Sequence, residues 1–369
     1  MSAPTHETSV LDLPYGTVPD SDEFIRAAMR WHFDEETGCR FWLDRARTLG
    51  FDPVSDVTSF DDLKLFPNVT DELRGVPVRD LIPQGFGHHP DVVAVIESGG
   101  TTGAPKRVPF LRQFADLLAQ AFAALCEEQV DPTKGWLVAM PSGPHLAFEQ
   151  SRRPASLLGA VVFGIDFDPR WVKKVIGSGN ADQAEAYVQH LVDQATLVLR
   201  DENIGTLRLT PPLLARFAER DELVDLINEK VDAIDWGGAH MDRDSRHFYR
   251  TELFPNTKLR GYYGTTMALG AGGAERLGLS HTDPCTLDPY LSPYVSLSVV
   301  DVDSHEVVPY GTTGQLVVNH VSKSFFLPNN AERDIATRIE PVSEQIGDSI
   351  ADVHPLQNFG GTAVIEGVY

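Results

Sequence analysis

Residues 95–110 constrain this chain more than any other stretch. Ser98, Gly99, Gly100, Thr101, Thr102, Gly103, Ala104, Pro105 and Lys106 place three glycines, three hydroxyls and one lysine in nine consecutive positions, with apolar, β-prone residues on either side. Glycine lets successive backbone N–H groups turn toward an anion, hydroxyls add donors, and lysine supplies a compact positive charge. The pattern predicts a phosphate-binding loop. A G-x-x-x-x-G-K-[ST] loop would run into a helix whose N-terminal amides complete the cradle. Here Pro105 precedes the lysine and Arg107-Val108-Pro109-Phe110 follows it, which favours an extended return and predicts strand, loop, strand.

The rest of the composition bounds what such a loop can serve. A chain of 369 residues is long enough for more than one lobe, and 42% hydrophobic with 23% charged residues is ordinary for a globular protein. The formal charge of −22 opposes binding to nucleic acid or to an anionic membrane. A bound nucleotide is compatible, because screening confines surface fields to roughly 8–10 Å. Cys39, Cys126 and Cys285 are odd in number and lack C-x-x-C spacing, which predicts neither disulfides nor a thiolate zinc site and fits a reducing cytoplasm. No apolar run reaches the ~20 residues that cross a bilayer, and residues 1–15 lack a signal-peptide pattern, so a soluble, unexported protein is expected.

Residues 1–80 read as a mainly helical segment, with Phe24, Ala27, Ala28 and Trp31 on one face and a loop near 50–57. Strands are expected at 91–97, 136–140, 160–165, 206–209, 233–236 and 258–263, and helices at 111–125, 181–199, 211–219 and 223–231. This alternation predicts an α/β fold with doubly wound sheets flanked by helices. Units at 81–205, carrying the phosphate loop, and 206–288 follow from it. From 289 to 342 the pattern turns all-β, with strands at 294–303 and 314–321, which suggests a small barrel-like lobe. Residues 343–369 show little periodicity and read as a tail.

Two glycine-rich segments end predicted strands: Asp235-Trp236-Gly237-Gly238-Ala239-His240, and Tyr262-Tyr263-Gly264-Thr265-Thr266-Met267. Ligand crevices of open sheets lie at such positions. Together with the S-G-G-T-T-G-x-P-K loop, these segments resemble, in order and spacing, the signature of the adenylate-forming superfamily of acyl-CoA synthetases, luciferases and peptide-synthetase adenylation domains. Residues 314–323 and the run Glu332-Arg333-Asp334-Ile335-Ala336-Thr337-Arg338-Ile339 resemble the phenylacetate-CoA ligase branch, as does 59–74. In size and layout the chain is most similar to short stand-alone members associated with phenazine antibiotic biosynthesis.

The resemblance implies the large N-terminal domain of those enzymes and an ATP site. Ser98, Gly99, Gly100 and Gly103 with Thr101, Thr102 and Lys106 would hold the phosphates. Gly237, Gly238 and Ala239 would line adenine, Tyr263 would stack on it or pack beside it, and Gly264, Thr265 and Thr266 would approach the α-phosphate. Asp334 would accept hydrogen bonds from the ribose hydroxyls. His145, Phe148, Trp236 and Tyr262 are candidates for the acid's pocket.

Two departures qualify the likeness. Met267 stands where the family has a glutamate that helps hold Mg2+, and a thioether is a poor ligand for a hard cation. Magnesium would then ride on ATP and water, or use Glu275. Residues 346–352 fall where the family has a hinge before its mobile C-terminal domain, so that domain, with its second lysine, is expected to be lacking. The implied activity is ATP-dependent adenylation of an aromatic carboxylic acid, a phenazine-type acid being one such, with an acyl acceptor protein or reductase acting in trans. The quaternary state reads as monomer or homodimer. The competing reading is a degenerate protein that binds nucleotide or aryl acid without turnover.

Overall fold

The computed structural model describes residues 9–99, 104–126, 131–280, 283–342 and 345–356, with the backbone alone of 358–359 and 362–363. Helix α1 (Ser21–Phe33) starts where the Asp20 carboxylate accepts the Glu23 N–H, and it buries Phe24, Ile25, Ala28, Met29 and His32. Helices α2 (Arg40–Ala46) and α3 (Pro53–Asp56) are short, and single helical turns follow as far as Phe86. The expected helical character of 1–80 thus holds for α1 and α2. Beyond them the prolines and aspartates keep breaking it.

Strands β1 (Val92–Glu97) and β2 (Arg107–Leu111) pair antiparallel with Glu97 opposite Arg107, which is the predicted strand, loop, strand. Gly100, Thr101, Thr102 and Gly103 lie outside the described residues. Helix α4 (Arg112–Cys126) follows directly, its buried stripe running from Phe114 to Cys126.

The α/β core then builds in order: β3 (Gly135–Ala139), α5 (Leu146–Leu157), β4 (Val162–Gly164), α6 (Pro169–Gly177), α7 (Ala181–Asp201), β5 (Ile204–Leu209), α8 (Pro211–Ala218), α9 (Asp221–Lys230), β6 (Ala233–Gly237), α10 (Arg243–Phe248) and β7 (Lys258–Gly264). Strands β8 (Gly272–Glu275), β9 (Thr286–Pro289), β10 (Val295–Val300), β11 (Thr313–Val321), β12 (Phe326–Ile339) and β13 (Ser349–Pro355) complete it. Strands β3 to β13 form one 11-stranded sheet, ordered β10-β11-β12-β13-β9-β8-β7-β6-β5-β3-β4. The β4-to-β7 half is parallel and the remainder antiparallel. The β-rich lobe expected after residue 289 is therefore hydrogen-bonded to the core through β9 and β8.

The segment read as tail and hinge contains a strand in the interior of that sheet. β13 pairs with β12 on one side and β9 on the other, burying Ile350 and Ala351. Its apolar run is too short to show a period, and only its partners define it.

The N-terminal segment holds the β11–β12 turn by its ring N–H groups. Trp31 Nε1 donates to Lys323 O at 2.8 Å, His32 Nε2 to Ser322 O at 2.7 Å, and Trp42 Nε1 to Phe326 O at 2.8 Å. Around these bonds Phe33, Trp42, Phe66 and Phe326 pack edge-on or stacked at 5.2–6.0 Å. The aromatic area removed from water fixes the segment on the sheet, and the N–H groups cap carbonyls that the turn leaves unpaired.

Candidate active site

Strand β4 lies on one side of β3 and β5 on the other, so the order of the parallel half reverses between β3 and β5. Open sheets leave a crevice outside the carboxyl ends of strands at such a reversal. Here the ends of β3 (Met140, Pro141), β5 (Thr210), β6 (Gly237, Gly238) and β7 (Gly264, Thr265) all border one cleft of about 580 Å³. Lys106 and Asp334, from the hairpin and β12, line the same cleft.

On the hairpin side the chain closes tightly: Ser98 N–H donates to Lys106 O at 2.9 Å, and Lys106 N–H to Ser98 Oγ at 3.0 Å. The Lys106 side chain is 16% exposed, with Nζ 3.5 Å from Asp71 Oδ1. Burial lowers its pKa from the ordinary 10.5, while Asp71 pulls the other way. Arg74 donates to Ala104 O, and Lys173 Nζ approaches Gly99 O at 3.5 Å. Burial first, and Arg333 second, lower the Lys173 pKa to about 8. Burial first, and a neighbouring arginine after it, thus disfavour the charged form of both lysines beside the hairpin.

On the opposite side Gly237, Gly238, Ala239, Tyr263, Gly264, Thr265 and Thr266 all line the cleft. A Cβ on Gly237 would lie 2.7 Å from Tyr262 O, and one on Gly264 would lie 2.5 Å from Gly270 O, so the close approach of a backbone carbonyl is what demands glycine at both. Tyr263 Oη donates to Asp334 Oδ2 at 2.9 Å, which orients the carboxylate. Thr265 Oγ1 donates to Glu332 Oε1 at 2.6 Å, and Asn330 Nδ2 donates to the same oxygen at 2.8 Å. Burial and Asp334 raise the Glu332 pKa.

Of the acid-pocket candidates, His145, Trp236 and Tyr262 line the cleft. His145 is 7% exposed, its Nε2 has no partner, and burial lowers its pKa. Phe148 is not among the lining residues. Its ring packs on β4, where a Cβ on Gly164 would lie 2.6 Å from it. Sequence reasoning passed over Gln150, Arg208, Thr210, Asp235 and Glu332, which also line the cleft. A charge in the middle of an apolar parallel strand was the available signal for Arg208 and Asp235.

No group of three His, Cys, Asp or Glu among the described residues could hold an ion, and Met267 is 4% exposed. Glu275, the alternative ligand, is spent elsewhere: it accepts from Arg250 Nη2 at 2.8 Å and from the Gly261 N–H at 2.8 Å, away from the cleft. Among the described residues, no helix is long and apolar enough to cross a membrane.

No protein-family profile and no curated protein matches the chain. Solved structures do. 2-Hydroxyisobutyryl-CoA ligase in the postadenylation state with 2-HIB-AMP is 16% identical, with a TM-score of 0.61 over 89% of this chain and 65% of that one. An open conformation of the ligase with 2-HIB-AMP and CoA is 15% identical, with a TM-score of 0.61 over 93% and 76%. ATP-bound MatB from Rhodopseudomonas palustris is 14% identical, with a TM-score of 0.49 over 74% of this chain and 50% of that one. The chain thus spans between half and about two thirds of the length of the first structures it matches. Its fold, a large mixed sheet flanked by helices, is that of the N-terminal domain of adenylate-forming enzymes.

Proposed function

We propose that this chain adenylates a carboxylic acid of aromatic character. A carboxylate oxygen attacks the α-phosphorus of ATP, the α–β phosphoanhydride bond breaks, and pyrophosphate leaves with the bonding electron pair. No proton need move, because the carboxyl is already ionised at neutral pH. Catalysis then consists of alignment and charge stabilisation.

The observation that carries this reading is that Lys106 and Asp334 border one cleft. In it, Lys106 with Ser98, Gly99 and the loop residues 100–103 takes the β- and γ-phosphates, and Thr266 the α-phosphate. Gly237, Gly238, Ala239 and Tyr263 take the base, with Gly264 and Thr265 beside them. Asp334 takes the ribose, and His145, Trp236 and Tyr262 border the acid. Magnesium travels with ATP, held by phosphates and water. By its motifs we place the chain beside the phenylacetate-CoA ligase branch and the short members of phenazine biosynthesis, the acyl group passing to a carrier protein or reductase in trans.

Buried Met267, a non-ligand where a carboxylate would serve, favours a second reading as a nucleotide and aryl-acid binder. ATP–pyrophosphate exchange with a panel of aryl and aliphatic acids separates the two. The enzyme reading expects acid-dependent exchange that falls on the order of 100-fold in Lys106→Ala. Nucleotide binding by calorimetry, without exchange for any acid, would leave the binder.

A further inference from the structure

The inner wall of the cleft carries a charge that adenylation does not use. Arg208, Asp235 and Arg260 are register partners on β5, β6 and β7, so their side chains leave the same face of the sheet. Charges there are costly unless paired. Arg260 is paired: its Nε and Nη2 meet Asp235 Oδ1 at 2.6 and 2.5 Å. Arg208 is not. It is 4% exposed, its Nη1 donates only to Gln150 O at 3.3 Å, and its Nε has no partner. Among the described residues, no carboxylate reaches Arg208 within ion-pair distance, and its guanidinium rests 4.3 Å above the Phe122 ring.

On the same face of the sheet Thr210 Oγ1 is fully buried and unpartnered, as is Asp235 Oδ2 within the row. Two arginines and one aspartate leave this row one positive charge in excess. The cation is held in place by Phe122 and Gln150, and Gln150 is itself fixed by bonds to Gly270 O and Tyr290 Oη at 2.9 Å each. A buried guanidinium with open N–H groups matches a carboxylate, which can accept two parallel bonds from it.

We propose that the acid is a dicarboxylate: one carboxylate meets the α-phosphorus, and the other, ionised, docks on Arg208 at the inner end of the cleft. This rests on the adenylation reading for the first carboxylate only. Arg208 acts as a specificity residue and takes no part in the chemical step.

The test uses isophthalate, terephthalate and adipate, each against its monomethyl ester, with wild type, Arg208→Gln and Arg208→Lys. In exchange, wild type should prefer at least one diacid over its ester on the order of 100-fold in kcat/KM. Arg208→Gln should erase that preference by lowering the diacid value alone, Arg208→Lys should keep part of it, and the calorimetric Kd for ATP should stay unchanged in both. Equal losses for diacid and ester, or no preference in any pair, overturns the proposal. If exchange fails altogether, binding decides separately: diacid binding to wild type that disappears in Arg208→Gln sustains the anion site while the adenylation reading falls. Diacid binding indifferent to the substitution, or absent for all three, removes it.

Discussion

Lys106 is asked to be charged in a place that discourages charge. Burial lowers its pKa from 10.5 and Asp71 only partly restores it. An ammonium that grips phosphate loses its hold once neutral, so nucleotide affinity should weaken with rising pH sooner than an ordinary lysine would allow. Calorimetric ATP titrations from pH 7 to 10 should show this decline in wild type and not in Lys106→Arg. Superimposable wild-type and variant curves would mean that Lys106 does not face phosphate. At this scale the sequence was most legible where chemistry dictates composition: only glycines, hydroxyls and a lysine can build the hairpin. It was least legible at Arg208. There a single charge interrupts Leu207 and Leu209, and only the neighbouring strands show whether it is paired.

Elements meet at the glycines that end β6 and β7. A methyl on Gly237 would sit 2.7 Å from the Tyr262 carbonyl, and backbone cannot swing aside as a side chain can. Gly237→Ala should therefore cost about 1–3 kcal/mol in urea unfolding and raise the Kd for AMP. Gly177, at the end of α6 with nothing within 4 Å of its would-be Cβ, is the control. Gly177→Ala should be neutral or slightly stabilising. Equal effects at both positions would show that the strand contact is unimportant. The parallel strands were legible as apolar runs because both of their faces are covered. β12 was harder: its 14 residues include Pro328, Asn329, Asn330, Glu332, Arg333 and Asp334, and its register shifts against β11 and β13 break the alternation. Its irregularity is also its use, since Asn330 and Thr265 hold Glu332 while Tyr263 holds Asp334 at the cleft.

Across the whole molecule, buried His32 joins the N-terminal segment to the sheet at Ser322, beside which His320 is also buried. His32 donates from Nε2 to Ser322 O, and His320 contacts Ala268 O through Nδ1 at 3.2 Å and Ser322 Oγ through Nε2 at 2.7 Å. Desolvation depresses both imidazoles, His32 to about 4 and His320 to about 3, from 6.5. Because both titrate lower in the folded state, the unfolded chain binds more protons as pH falls below 6.5. Their contribution is thus complete above that pH and is lost progressively toward 4 and then 3. Asp62, Asp242 and Asp301 are lowered from 3.8 and act in a more acidic window. His145, also lowered, adds to the histidine window. Each imidazole that must stay neutral contributes up to about 1.4 kcal/mol per pH unit. His32→Gln, whose amide can still donate to Ser322 O, should reduce the slope of unfolding free energy between pH 6 and pH 4.5 by about that amount. A slope identical to wild type would show that folding does not depress the His32 pKa.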